Sequence, residues 1–289
     1  MELSKDILQL FPPSVGMRVA QEAQCREETI EEIRCRIDQP YVLLSSWNEF
    51  MLPTDIVTAS DLDYILERAS NYSYHTVANE LTAGFVHTKG GCRIGVCGSI
   101  ASSGLHHLCS LSVRVPHEII GCADPIREPL LRGGFQSTLI VSPPGAGKTT
   151  LLRDVIRMLS CFGYRVSVAD ERGELGAVFQ RSPQFDLGPR TDVMTGGRKH
   201  DACMMLMRAM NPQILAFDEI TSAEDIEASV YAAGCGVSLL ATAHAESAET
   251  LRRRALYRRL LDEEIFQRVV EISAASGERR YKVVDLKCG

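Results

Sequence analysis

The nine residues Ser142-Pro-Pro-Gly-Ala-Gly-Lys-Thr-Thr150 join an apolar run, Thr138 to Ser142, to a helical pattern that starts at Lys148 and continues to about Ser160. The pattern G-x-x-x-x-G-K-[ST] is met at Gly147, Lys148 and Thr149, with Ser142 where the first glycine is usual. A loop of this kind wraps an anion in bare backbone N–H groups, which Gly145 and Gly147 permit, while the helix behind it presents its positive end. Lys148 is then placed to reach the outer phosphates of a nucleotide such as ATP, and Thr149 to hold Mg2+. Pro144, Gly145, Ala146, Gly147, Lys148, Thr149 and Thr150 form the candidate nucleotide-binding set. A glycine turn that merely ends a strand accounts for the two glycines but leaves Lys-Thr-Thr at a helix start without a reason.

Downstream, apolar runs alternate with helices. Arg165 to Ala169 is followed by a helix from about Arg198 to Met210, then by Ile214 to Phe217. Ser222 and Asp225 have the spacing of a capping box and open a helix that stops near Gly234, and Val237 to Ala243 is the next apolar run. Continuous apolar strands separated by helices predict an α/β core, a mostly parallel sheet with helices on both faces. The tail, Arg268 to Ser273, Ser276-Gly277, then Tyr281 to Leu286, reads as a closing hairpin.

In such a sheet the C-terminal strand ends gather at one edge. Ile214-Leu-Ala-Phe-Asp-Glu219 delivers Asp218 there as a second ligand for magnesium, and Glu219 to orient or activate an attacking water. An Asp-Glu pair after a core strand is common by itself; behind a P-loop it favours a hydrolase. Ala241-Thr-Ala-His244 brings Thr242 or His244 toward the γ-phosphate. Asp170-Glu-Arg-Gly-Glu174 adds carboxylates at the same edge, and Glu171 is a further candidate for the metal unless these are ordinary solvated charges.

The turn-rich stretch Gly121 to Gly134 reads as a domain boundary, dividing the 289 residues into 1–130 and 131–289. The first part is a smaller α+β domain. It has helical patterns from Lys5 to Cys25, broken at Pro12-Pro13, and from Ser60 to Tyr72. Its strand-like runs are Arg34 to Ile37, Tyr41 to Ser45, Gly84 to Thr88, Cys92 to Cys97 and Leu111 to Val115. Ala228 to Ala245 lacks charge but contains Gly234, Gly236, three serine or threonine hydroxyls and His244, and is at the short end of the roughly 17–25 residues of a membrane span. Any membrane association is therefore expected through a partner. Ten cysteines without a CxxC pair, and no signal peptide at the amino terminus, predict reduced thiols in a cytoplasmic protein. Cys92, Cys97, His106, His107 and Cys109 are metal-type residues whose spacing fits no common zinc pattern.

The order of Pro-Pro-Gly-Ala-Gly-Lys-Thr-Thr, Asp170-Glu-Arg-Gly-Glu, Gly188-Pro-Arg-Thr-Asp-Val193, Arg208-Ala-Met-Asn-Pro-Gln-Ile-Leu-Ala-Phe-Asp-Glu-Ile220 and Ala243-His-Ala resembles the stage III sporulation protein AA family. Those proteins are similar to the ATPases of type II and type IV secretion and of type IV pili. The resemblance covers nearly the whole chain and is strongest from Ser137 to Arg254. It implies a RecA-like P-loop ATPase acting as a homo-oligomeric ring of six, attached to a membrane-embedded channel complex of an endospore former, on the mother-cell side. By that analogy Glu171 and Glu174 lie in an acidic box and His244 in a histidine box. Gly90-Gly-Cys-Arg-Ile-Gly-Val-Cys-Gly98 and Leu111-Ser-Val-Arg-Val115 look like the amino-terminal domain of the secretion ATPases, where arginines reach nucleotide; Arg93 and Arg114 are thus candidate arginine fingers, against the plainer reading of exposed strand charges. Ser142 and the missing tetracysteine metal module depart from the secretion-ATPase pattern.

The leading expectation is an ATP-hydrolysing motor in which Glu219, Lys148, His244, Arg93 and Arg114 serve catalysis. A nucleic-acid-dependent motor is the first alternative, motivated by Arg252, Arg253, Arg254, Arg258 and Arg259. A formal net charge of -6 speaks against it, and Asp262, Glu263 and Glu264 follow at once. A nucleotide-switched scaffold without turnover is the second.

Overall fold

The computed structural model describes residues 3–26, 28–45, 48–71, 77–101, 104–275 and 278–286. Tyr72, the Ser276-Gly277 turn, Cys288 and the side chain of His106 lie outside the described residues. Contacts divide the chain into two compact units, Met1–His117 with Ala177–Gln184, and Glu118–Gly176 with Phe185–Gly289.

The first unit opens with α1 (Lys5–Leu8) and α2 (Pro13–Cys25), separated at the two prolines as their missing N–H groups require. Then come β1 (Ile30–Arg36), β2 (Pro40–Ser45), β3 (Glu49–Ile56), α3 (Ala59–Ala69), α4 (Ala78–Thr82), β4 (Phe85–His87), β5 (Arg93–Ala101) and β6 (Gly104–Arg114). The strands form one antiparallel sheet in the order β3-β2-β1-β6-β5-β4. Side chains alternate across it: Ile33, Cys35, Ile94, Leu111 and Val113 enter the core with the helices, and Glu32, Arg34, Arg36 and Arg114 point the other way. Burial pushes the Cys92 thiol up to about 12 and Cys35 higher still, so both are inert core residues. Among the described residues no group of three or more His, Cys, Asp or Glu side chains forms a metal site, and every described cysteine is a free thiol.

The second unit contains α5 (Asp124–Leu131), β7 (Thr138–Ser142), α6 (Lys148–Cys161), β8 (Val166–Asp170), β9 (Thr191–Thr195), α7 (Lys199–Ala209), β10 (Ile214–Glu219), α8 (Ala223–Gly234), β11 (Ser238–His244), α9 (Ala248–Arg252), α10 (Ala255–Asp262), β12 (Arg268–Ala275) and β13 (Glu278–Asp285). Its seven strands run β13-β12-β7-β11-β10-β8-β9, all parallel except the antiparallel edge strand β13. Alternation again explains the layers. Leu139, Val141, Leu215 and Phe217 pack under α7, α8 and α10, while Ile140, Ile214 and Ala216 pack under α5 and α6. Each fully buried Leu, Ile, Val or Phe contributes about 1.5–3 kcal/mol, so the expected parallel sheet covered on both faces is what the sequence stabilises. Ser222 and Asp225 make the capping box of α8.

The division falls between His117 and Glu118 rather than near Leu130, because the supposed connector is in part helix α5, whose Ile126 and Leu130 are buried in the core of the second unit. No described helix is long and apolar enough to cross a membrane. The five arginines of α9, α10 and their junction are exposed, and Arg253 and Arg259 pair with Glu249 and Glu263 one helical turn away. That face has locally offset charge rather than a bare basic stripe.

Candidate active site

Strands β7, β10 and β11 end side by side: His244 is in register with Ser142, and Thr242 with Glu219. The loop after β7 turns through Gly145 at φ 76° and Gly147 at φ 95°, left-handed values that glycine adopts without strain, and Gly147 caps α6. Lys148, the first residue of α6, is buried and folds back over the loop. Its Nζ donates to the carbonyl oxygens of Ser142 at 3.1 Å and Pro143 at 3.2 Å, and lies 2.9 Å from His244 Nδ1.

The other ring nitrogen, His244 Nε2, is 3.2 Å from Glu219 Oε2. An ammonium has only donors and a carboxylate only acceptors, so a neutral ring protonated on Nε2 satisfies both neighbours. Lys148 from the start of α6, with His244 and Glu219 from the ends of β11 and β10, thus forms one hydrogen-bonded chain. Burial lowers the Lys148 pKa, against the opposing charges of Glu219 and Asp218.

Asp218 lies beside this chain, and the Thr242 hydroxyl donates to it at 3.3 Å. Burial, reinforced by the charge of Glu174, pushes its carboxyl up to about 6. A desolvated carboxylate with one hydroxyl donor fits a hard cation, and Asp218 with Thr149 would hold Mg2+ together with phosphate oxygens and water. Glu171 is exposed, with its carboxylate 4.0 Å from Lys199 Nζ. Asp170 accepts the N–H groups of Glu174, Leu175 and Gly176 and so fixes the turn after β8.

The elevated Asp218 pKa has a consequence for stability. A carboxyl with a higher pKa folded than unfolded costs nothing below its unfolded value near pH 4, and its full penalty is reached once pH exceeds about 6. Asp218→Asn is therefore expected to stabilise the nucleotide-free protein by on the order of 2 kcal/mol at pH 8, and not at all at pH 3.5. Thermal melts across that range check it; equal melting temperatures at pH 8 would remove the argument.

Sequence patterns did not reveal Lys199. It is buried, and Nζ donates to the backbone carbonyl of Glu219 and to Asp225 Oδ2 at 3.1 Å, tying the end of β10 to the cap of α8. The one local signal was a cation at the first position of a helix, where the backbone dipole disfavours it and a tertiary partner is needed.

On the first unit, Arg93 and Arg114 are paired across β5 and β6. With Arg34, Arg36, Ser110 and Ser112 they line a concavity of about 320 Å3 on the open face of the sheet, and Arg93 stacks 4.3 Å from the Phe85 ring centre. Glu32 pairs with Arg34. Four guanidinium groups gathered on this face make a local anion-attracting surface on an acidic chain.

The family model described as sporulation stage III, protein AA, matches residues 1–284. Stage III sporulation protein AA of Bacillus subtilis (strain 168) is 34% identical over 282 residues, covering 94% of this chain and 92% of that protein. Among solved structures, the Legionella pneumophila ATPase DotB superposes with a TM-score of 0.64 at 17% identity, over 96% of this chain and 82% of that one. The pilus retraction motor PilT with bound ADP gives 0.63 at 16%, over 94% and 83%. These likenesses establish a RecA-like core preceded by a smaller domain. Whole-length agreement with the family model and with the Bacillus protein makes this chain a member of the sporulation stage III protein AA family.

Proposed function

We propose that the chain is an ATP-hydrolysing motor, and the observation that carries the proposal is the joining of Lys148 and Glu219 through His244 at the end of the parallel sheet. Loop amides and Lys148 bind the phosphates, and Thr149 and Asp218 take the metal side. Bound magnesium would supply charge neutralisation between the β- and γ-phosphates. Arriving phosphates compete for the Lys148 ammonium, which leaves His244. Glu219, held at its backbone by Lys199, then accepts the proton of the attacking water, and His244 is free to face the γ-phosphate.

The arginine-lined face of the first unit is assigned to a neighbouring subunit's nucleotide, with Arg93 and Arg114 as fingers in a homo-oligomeric ring, six-membered by analogy. Sporulation membership and the fold shared with a pilus retraction motor and the ATPase DotB support attachment to membrane-embedded channel proteins of the same stage III system, with the chain peripheral to the membrane in the mother cell. The compensated arginines of α9 and α10 disfavour nucleic acid as the partner.

The test is phosphate release from ATP, with Mg2+, across protein concentrations. Specific activity is expected to rise with concentration and to fall in Arg93→Ala and Arg114→Ala. Mixing Arg114→Ala, whose P-loop is intact, with Lys148→Ala, whose fingers are intact, should restore part of the activity. Concentration-independent turnover, unaffected by either arginine, would contradict the ring.

A further inference from the structure

The P-loop has a neighbour from the far end of the chain. Arg279, near the start of β13, places Cζ and Nε 3.1 Å, and Nη1 3.5 Å, from the point where a side chain on Gly147 would have its first carbon. The guanidinium therefore lies directly against the glycine that precedes Lys148. A β-carbon at Gly147 would stand 3.1 Å from it, so the guanidinium would have to give way slightly, in addition to the strain of a φ of 95°.

Two features make this placement more than a surface charge near a loop. The hairpin that carries Arg279 is fixed to the strand that carries the loop, because β12 pairs in parallel with β7 and β13 pairs with β12. The base of that hairpin is anchored by the buried Arg268, which donates to the carbonyl oxygens of Leu130 at 2.6 Å and Arg132 at 2.8 Å and pairs with Asp285 at 3.0 Å. Secondly, among the described residues Arg279 makes no hydrogen bond or ion pair. Its charge is felt by the Cys122 thiol and the Tyr281 hydroxyl, which also feel Asp154, a carboxylate already held by Arg157 and by the Ala123 N–H. Arg153, Arg157 and Arg268, also in this unit, are each held by backbone carbonyls or carboxylates. An exposed cation with no counter-ion among the described residues, lying against a phosphate-binding loop, is arranged for an anion that arrives with the ligand.

We propose that Arg279 is a nucleotide-binding residue, contacting a phosphate common to ADP and ATP in the P-loop of its own chain. The proposal rests on the reading of Ser142 to Thr150 as a nucleotide site. It assigns Arg279 a different role from Arg93 and Arg114, since a contact made equally before and during the reaction strengthens binding without raising turnover.

Equilibrium titration of ADP and of a non-hydrolysable ATP analogue into the full chain, with Mg2+, tests it. A lost charge-assisted contact should raise the Kd of Arg279→Ala about tenfold or more for both ligands. Turnover at saturating ATP should stay within about threefold of wild type, and its dependence on protein concentration should not change. Arg279→Lys should recover part of the affinity, keeping the charge without the planar fork. Kd values of Arg279→Ala within about twofold of wild type for both ligands would overturn the assignment. If Lys148→Ala also binds both ligands like wild type, the nucleotide reading of the loop falls with it; if only Lys148→Ala loses binding, the loop stands and Arg279 alone is refuted.

Discussion

Replacing Glu219 by Gln is expected to lower phosphate release from ATP about a hundred- to ten-thousandfold while leaving ATP affinity within about threefold of wild type. Glutamine has the same shape, and its carbonyl oxygen can accept the hydrogen bond that His244 Nε2 gives to Glu219 across 3.2 Å. Its backbone hold also survives, since Lys199 donates to the Glu219 carbonyl rather than to the side chain. What disappears is the basic carboxylate. The change therefore separates chemistry from binding: phosphate release and equilibrium ATP titration on the same preparation should diverge. A loss shared equally by both would mean that Glu219 only shapes the site.

Lys148→Ala should act earlier in the cycle. Its Nζ now donates to two loop carbonyls and lies against His244, contacts that hold the ammonium in a buried position at a cost visible in its lowered pKa. A nucleotide would replace those acceptors with charged phosphate oxygens, which bind an ammonium more strongly. Loss of the lysine should weaken ATP and ADP binding about a hundredfold or more, the sum of at least two charge-assisted contacts. Thermal melting offers a simple check. ATP at about a hundred times the wild-type Kd should stabilise the wild type by about 2.7 kcal/mol, and the variant by a small fraction of that. The nucleotide-free variant should melt no lower than wild type, because alanine removes a desolvated charge. An undiminished ATP-induced shift in Lys148→Ala would refute the assignment of the loop.

The second unit was legible from sequence where each strand is buried on both faces. Thr138 to Ser142 and Ile214 to Phe217 are apolar because every position meets a helix layer, so the run itself marks the strand. β9 escaped notice for the opposite reason: it is an edge strand with no fully buried residue, and Thr191-Asp-Val-Met-Thr195 carries no pattern. β3 was likewise hidden, with Pro53 inside it and Leu52 as its one buried side chain. The Gly121 to Gly134 segment looked like a linker because Pro125 and Pro129 dominate it, yet proline at the first turn is compatible with the helix α5.

At the site, Lys148, Asp218, Glu219 and His244 were legible because each ends a strand or starts a helix next to a known loop. Lys199, Arg34, Arg36 and Arg279 were not. Lys199 meets Glu219 and Arg279 meets Gly147 from distant parts of the chain, and Arg34 and Arg36 share a face with Arg93 and Arg114 only through sheet pairing; local patterns carry no trace of such placements. Sequence reading offered Glu171 as a further metal candidate beside the plainer reading of a solvated charge; its exposed carboxylate is 4.0 Å from Lys199 Nζ.

The most direct test of the account is the identity of the nucleotide recovered from the protein. Labelled ATP bound with Mg2+ to wild type and to Glu219→Gln at equal occupancy, separated from free nucleotide and then extracted over time, should be recovered as ADP from wild type and as ATP from the variant. Recovery of intact ATP from both would make the chain a nucleotide-binding switch, and ADP appearing equally fast from both would take Glu219 out of the chemistry.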